Sequence, residues 1–229
     1  MDKTLLGKFD VFFKNHRERA YKKGEIILHN FESVSSLYYL QKGYVRQFVI
    51  TRDGEEVTIH IFRPGSLFPL MLSFAGAQNR YTFQALTHTV VRQAPQDKVL
   101  DFLKREPSLL IEIVQRFAKG LLGLSLRIER FSSTETHEKL ISLLLYLSSR
   151  FGKSIKKSKA QEIMIDLPLT HQEIASWIGR ERETVSRQME KLKRKKLIDY
   201  KGKSVFVKNL EKLKQELTRP SRGAHTSLP

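Results

Sequence analysis

Residues 167–198, LPLTHQEIASWIGRERETVSRQMEKLKRKKLI, restrict the fold more than any other part of the chain. Thr170 followed by Glu173 is a capping box: the threonine oxygen accepts from the amide three residues on, and the glutamate reaches back. Ile174, Ala175 and Ile178 give the helix that starts there an apolar face, and the small Ala175 suits a helix crossing. Gly179 permits the tight turn that ends it. A second helix then starts at about Glu181, with Val185, Met189 and Leu192 facing inward. Arg182, Glu183, Ser186 and Arg187 are left on the outer surface. Helix, short turn and helix at this length is a helix-turn-helix pattern. Beyond it, Leu197–Tyr200 and Ser204–Val207 read as two strands around a Lys-Gly-Lys turn, a basic wing.

The outward residues have the chemistry of duplex reading. A guanidinium gives two parallel hydrogen bonds to guanine O6 and N7, and a carboxylate accepts from cytosine N4. Arg182, Glu183 and Arg187 share one helix face and reach successive base pairs. The alternative is a solvated face carrying an i,i+4 Glu183–Arg187 pair. The capped, glycine-turned pattern, the wing and the basic segment Phe151–Gln161 favour DNA. So does a formal net charge of +17, which favours a polyanionic partner. Residues 132–229 carry the larger share of that excess although they are the shorter part.

Upstream the texture differs. Residues 1 to about 18 form a helical lead-in with Leu5, Leu6, Phe9, Phe12 and Phe13 as its apolar stripe. From Arg19 to about Pro95, strand-like segments such as SLYYLQ, YVRQFVIT, EEVTIHIF and YTFQALTHTVVRQ alternate with glycine-containing turns. Asp53-Gly54 between two of them is a hairpin signal, and the spacing suggests an all-β sandwich or roll. Asp97–Arg105 reads as a short helix, and Pro107 opens a long one. In that long helix Leu110, Val114, Phe117, Leu121, Leu124, Ile128 and Phe131 alternate at spacings of four and three. This a/d repeat reads as a coiled-coil dimer seam, with packing inside the chain as the alternative. Ser132–Thr134 offer caps for a following helix bearing Leu140, Leu143, Leu144 and Leu147. Ile163–Leu167 alternates as a short strand, and the last residues read as a frayed tail.

Several classes are excluded. With no cysteine, a disulfide framework, thiolate zinc, an all-cysteine iron–sulfur cluster and a cysteine nucleophile are all impossible. No apolar run approaches the roughly 20 residues that span a bilayer, and the N-terminus lacks a signal-peptide core. A cytoplasmic protein with no membrane partner is expected. No metalloprotease motif, phosphate-cradling glycine loop or serine elbow points to an enzyme.

Taken together, Arg19 to Leu213 resembles the cyclic-AMP receptor protein and fumarate–nitrate regulator (Crp/Fnr) superfamily of bacterial transcription factors. The resemblance rests on GEIIL (24–28), YYLQKGYVRQF (38–48), the Asp53-Gly54 turn, RPGSLF (63–68), the long helix and the 169–198 block. It implies an α+β fold: an N-terminal jelly-roll-like, cyclic-nucleotide-binding-like β-roll (1–106), a central dimerisation helix (107–131), a C-terminal winged helix-turn-helix (132–213) and a flexible tail (214–229). It implies a homodimer that binds double-stranded DNA at an inverted repeat and has RNA polymerase as a further partner. Arg182, Glu183 and Arg187 correspond to the base-reading set for a TGTGA-like half-site. Thr170, His171, Gln172, Thr184 and Ser186 fall where the family contacts phosphates, and Lys203 sits on the wing.

The effector cassette departs from the family. Leu70 stands where a ribose-binding glutamate belongs. Alignment on Ala85 and Thr87 puts Asn79 at the phosphate-binding arginine and leaves Arg80 one residue late, on the opposite face of a strand. Cyclic AMP is therefore not expected, nor is an iron–sulfur cluster; His60 and His88 are the only haem ligands considered, and haem is not expected either. Phe68, Leu70, Met71, Arg80 and Thr82 are the candidate lining of a pocket for another, unidentified effector, or simply fill the roll. The rival function is a non-specific architectural nucleic-acid binder with a purely structural roll, which predicts steep salt dependence without sequence preference.

Overall fold

The computed structural model describes residues 3–131, 135–155 and 162–217. By contact the chain divides into two compact units, residues 1–126 and 127–229.

The first unit runs α1 (Lys3–Phe13), β1 (Arg17–Tyr21), β2 (Ile26–Leu28), β3 (Ser36–Lys42), β4 (Val45–Ile50), β5 (Glu56–Phe62), β6 (Leu67–Phe68), α2 (Leu70–Ala75), β7 (Thr82–Ala85), β8 (Thr89–Pro95), α3 (Gln96–Lys104) and most of α4 (Pro107–Phe131), whose last five residues are counted with the second unit. Its strands form two four-stranded antiparallel sheets, ordered β1-β8-β3-β6 and β2-β7-β4-β5, which make the β-roll. The two-residue period of β3 organises its packing. Leu37 and Tyr39 join Phe9 and Phe13 of α1, Val99 and Leu103 of α3, and Leu109 and Ile113 of α4. Tyr38 and Leu40 join Val45, Phe68, Phe83 and Val91 in a second cluster. Burial of each such side chain contributes about 1.5–3 kcal/mol.

The second unit holds α5 (Thr136–Phe151), β9 (Gly152–Ser154), β10 (Ile163–Ile165), α6 (His171–Ile178), α7 (Arg182–Arg194), β11 (Ile198–Lys201), β12 (Ser204–Val207) and α8 (Leu210–Leu217). Leu140, Leu143, Leu144 and Leu147 of α5 are buried, and α5 packs against α6, α7 and α8. The strands form one antiparallel sheet, β11-β12-β10-β9.

Several expectations need correction. Residues 81–93 are two strands, β7 and β8, because the chain turns at 86–88. Gly152–Ser154 extends the C-terminal sheet where a loop was expected; residues 156–161 of that segment lie outside the described residues. The expected caps Ser132–Thr134 also lie outside them, and α5 starts after Glu135, which makes no side-chain cap bond. The 213/214 boundary falls inside α8, whose Leu213 is fully buried; residues 214–217, expected in the flexible tail, belong to this helix.

On α4 the heptad is only partly free. Leu110 is half-buried against the core of its own unit, so it packs within the chain where a seam contact was expected. Val114, Phe117, Leu121, Leu124 and Ile128 are 61, 39, 66, 43 and 65% exposed. The side chain of Phe131 lies outside the described residues.

Candidate nucleic-acid interface

The interface starts from a helix end whose unpaired amides need partners. Thr170 Oγ1 accepts from the Glu173 amide at 3.1 Å, and the Thr170 amide donates to Glu173 Oε2 at 2.5 Å, which completes the capping box of α6. Ile174, Ala175, Trp177 and Ile178 bury the inner face. Gly179 ends the helix in the left-handed region (φ 61°), where a side chain would be strained. α7 then buries Val185, Met189 and Leu192.

The opposite face of α7 presents the expected residues: Arg182, Glu183 and Arg187 are all exposed. Arg187 donates to Thr184 Oγ1, 3.3 Å away in its own turn, rather than pairing with Glu183. His171 Nδ1 lies 2.8 Å from Ser186 Oγ, which ties the start of α6 to the middle of α7. The wing is tied in as well, since the Leu169 amide donates to the Lys203 carbonyl at 2.8 Å. A groove of about 540 Å³ results, with Thr170, His171, Gln172 and Arg182 on one side and Tyr200, Gly202 and Lys203 on the other.

The sequence reading missed the strut behind this groove. The Tyr200 hydroxyl donates to the Glu190 carboxylate, which raises its pKa to about 12. The Lys193 ammonium sits 4.3 Å above the Tyr200 ring, and that ring and His171 meet nearly at right angles. Asp199 is held below the usual carboxylate range, first by the Tyr200 amide and also by Lys193 and Lys208. Only three-dimensional pairing of β11 with α7 reveals these contacts; along the chain Tyr200 is one strand residue among others.

In the roll, the five candidate pocket residues do not come together. Phe68 is fully buried, with ring centroids 5.1 Å from Phe62 and 5.6 Å from Phe83. Leu70 is buried in the cluster shared with the helices, whereas Met71 is 57% exposed. Arg80 and Thr82 line a separate cleft of about 520 Å³ with Phe31, Val49, Ile50 and Arg52. Asn79, at the phosphate-arginine position, is buried and bonded within the chain: Nδ2 donates to the His29 carbonyl and Oδ1 accepts from the Tyr81 amide. His60 packs edge-on against Phe62, and His88 is exposed. Among the described residues no group of three or more His, Asp or Glu is placed to hold a metal ion.

Residues 18–106 match the family described as a cyclic nucleotide-binding domain, and residues 138–216 the Crp-like helix-turn-helix domain. A global nitrogen regulator of Synechocystis is 31% identical over 184 residues, covering 80% of each chain. The chain belongs to the Crp/Fnr family. A second global nitrogen regulator, from Nostoc, is 29% identical over 201 residues, 87% of this chain and 88% of that one. A Crp/Fnr-family transcriptional regulator of Thermus thermophilus has the same fold, with a TM-score of 0.68 at 24% identity over 89% of this chain and 99% of that one. Crp/Fnr proteins are transcriptional regulators and not enzymes, and in this one α6, α7 and the β11–β12 wing lie within the Crp-like helix-turn-helix domain.

Proposed function

We propose that this Crp/Fnr regulator binds an inverted-repeat operator as a homodimer, each α7 reading a TGTGA-like half-site through Arg182, Glu183 and Arg187. The carrying observation is the exposed charged face of α7, held in fixed relation to α6 by the His171–Ser186 bond and to the wing by the strut on Tyr200. Thr170, His171, Gln172, Thr184, Ser186 and Lys203 border that face, and we assign them to backbone phosphates. Val114, Phe117, Leu121, Leu124 and Ile128 support the dimer, because an exposed apolar stripe of this regularity calls for a partner helix.

Three segments follow from this reading: an effector-type roll at 1–106, a dimerisation helix at 107–131 and a DNA-binding module from 132 to the end of α8. The protein acts in the cytoplasm with DNA and RNA polymerase as partners; no described helix is long and apolar enough to cross a membrane.

The roll does not fit a cyclic nucleotide in the family manner. Leu70 supplies no carboxylate for a ribose, and the carboxamide of Asn79 is already engaged at both ends. Neither cyclic AMP, an iron–sulfur cluster nor haem is assigned to it. An effector of another kind would have the Arg80–Thr82 cleft available to it.

Selection from a randomised duplex library with the effector-free protein, at about 0.15 M salt with competitor DNA, tests the reading. An inverted repeat with half-sites about one helical turn apart is the expected product. Uniform recovery, both without effector and with cell extract added, would leave only the architectural binder.

A further inference from the structure

His171 is the first residue of α6, and its ring is enclosed from two sides. On the α7 side Nδ1 meets Ser186 Oγ; on the β11 side the ring meets Tyr200 nearly at right angles, with centroids 5.5 Å apart at 84°. Nε2 is the nitrogen left for a ligand in the groove bordered by Gln172, Arg182 and Lys203. The charged surroundings are mixed. From α7, Arg182 opposes a positive ring and Glu190 favours it. From β11, Tyr200 is engaged on Glu190 and carries Lys193 on its face. From the wing comes Lys203, and within α6 Glu173 is occupied by the capping box.

We propose that His171 and Ser186 form a proton-coupled phosphate clamp, which takes up one proton per protomer when a DNA backbone phosphate enters the groove. The proposal rests on the DNA-binding reading and assigns a regulation to that same site.

The proton has a defined place. In the neutral ring with hydrogen on Nε2, Nδ1 accepts from the Ser186 hydroxyl, so Nε2–H is the pair's single donor to the groove. Protonation at Nδ1 reverses that bond: Nδ1–H donates, Ser186 Oγ accepts, and the serine hydrogen is released towards the phosphate. One proton thus adds a donor and a positive charge together. Burial first, then Arg182, holds the free ring below the ordinary histidine range, so it enters the complex uncharged at neutral pH. A phosphate replacing solvent acts in the opposite direction. The pKa is then higher in the complex than in the free protein. Affinity is therefore constant above the complex's value, rises as pH falls through the window between the two, and levels below the free value.

The test is affinity for the selected duplex from about pH 8 to about pH 5.5 at fixed ionic strength. Wild type should tighten with a slope of up to roughly tenfold per pH unit for each proton taken up. His171→Gln, which keeps a neutral donor, should still bind with that slope removed. Ser186→Ala should keep the sign of the slope but reach a weaker acid plateau. The His171 ring, followed by NMR, should titrate at higher pH with duplex than without. A slope unchanged in His171→Gln, or no shift of the ring, overturns the clamp. The two readings fail separately. Equal binding to all duplexes with a His171-dependent slope would refute base reading alone, because every duplex carries phosphates. A sharp operator preference with no pH dependence would refute the clamp alone.

Discussion

Asn79 illustrates how much one buried amide decides. It is 2% exposed; besides bonding the His29 carbonyl (2.7 Å) and the Tyr81 amide (2.9 Å), its own carbonyl accepts from the Phe31 amide. It thereby clasps the 29–31 loop to the approach of β7. Asn79→Ala removes both part-buried side-chain hydrogen bonds, to the His29 carbonyl and from the Tyr81 amide, so it should destabilise the roll by about 1–3 kcal/mol, read as a lower urea midpoint. An Asn79→Ala protein of unchanged stability would mean that the clasp is superfluous. The sequence places Asn79 at the family's phosphate position but cannot reveal that both ends of its side chain are engaged. The same limit applies to Leu70 and Met71, adjacent residues that α2 sends to opposite environments, one into the core and the other outward. Alternation in a short helix without a strong apolar period gives no sign of which will be buried.

At the scale of elements, legibility follows local determination. The capping box, Gly179 and the wing turn are set by neighbours within a few residues, and α6, α7 and the two wing strands are readable in the sequence to within a residue or two. The strut from Tyr200 to Glu190, α8 and the inward turn of Leu110 depend on distant packing and were not. Thr170→Ala tests the local part: loss of the cap should cost about 1 kcal/mol and loosen α6 first, visible as faster amide exchange there. Base reading and backbone contact separate by substitution on two neighbouring elements. Arg187→Ala on α7 should lose about 1–3 kcal/mol of discrimination between the selected site and a variant half-site. Lys203→Ala on the wing should weaken all duplexes alike and lower the salt slope by about one per protomer, about two for the dimer. Competition binding with the two duplexes distinguishes these outcomes. Equal losses in both variants on every duplex would remove Arg187 from the base-reading set.

For the whole molecule, the decisive property is that each unit has its own core while most of the apolar stripe of α4 beyond Ile113 is left exposed, with Phe117 meeting the Phe74 ring of α2 at 6.2 Å. The roll's clusters close around α1, α3 and the start of α4, and the second unit closes around α5. Leu121 is 66% exposed, so Leu121→Glu removes no core contact of its own chain. Facing a second copy across a heptad seam, it would instead set two carboxylates in an apolar interface, which is costly without compensation. The variant should therefore keep its secondary structure and its cooperative unfolding, yet sediment as a monomer. The loss of tethering between two reading helices should weaken operator binding by about a hundredfold or more, since avidity of linked modules commonly reaches that size. The salt slope should fall to about half, because half the phosphate contacts remain per binding event. A Leu121→Glu protein that stays dimeric and binds normally would move the interface off the stripe. It would leave the exposed heptad, the strongest long-range pattern in the sequence, without a partner.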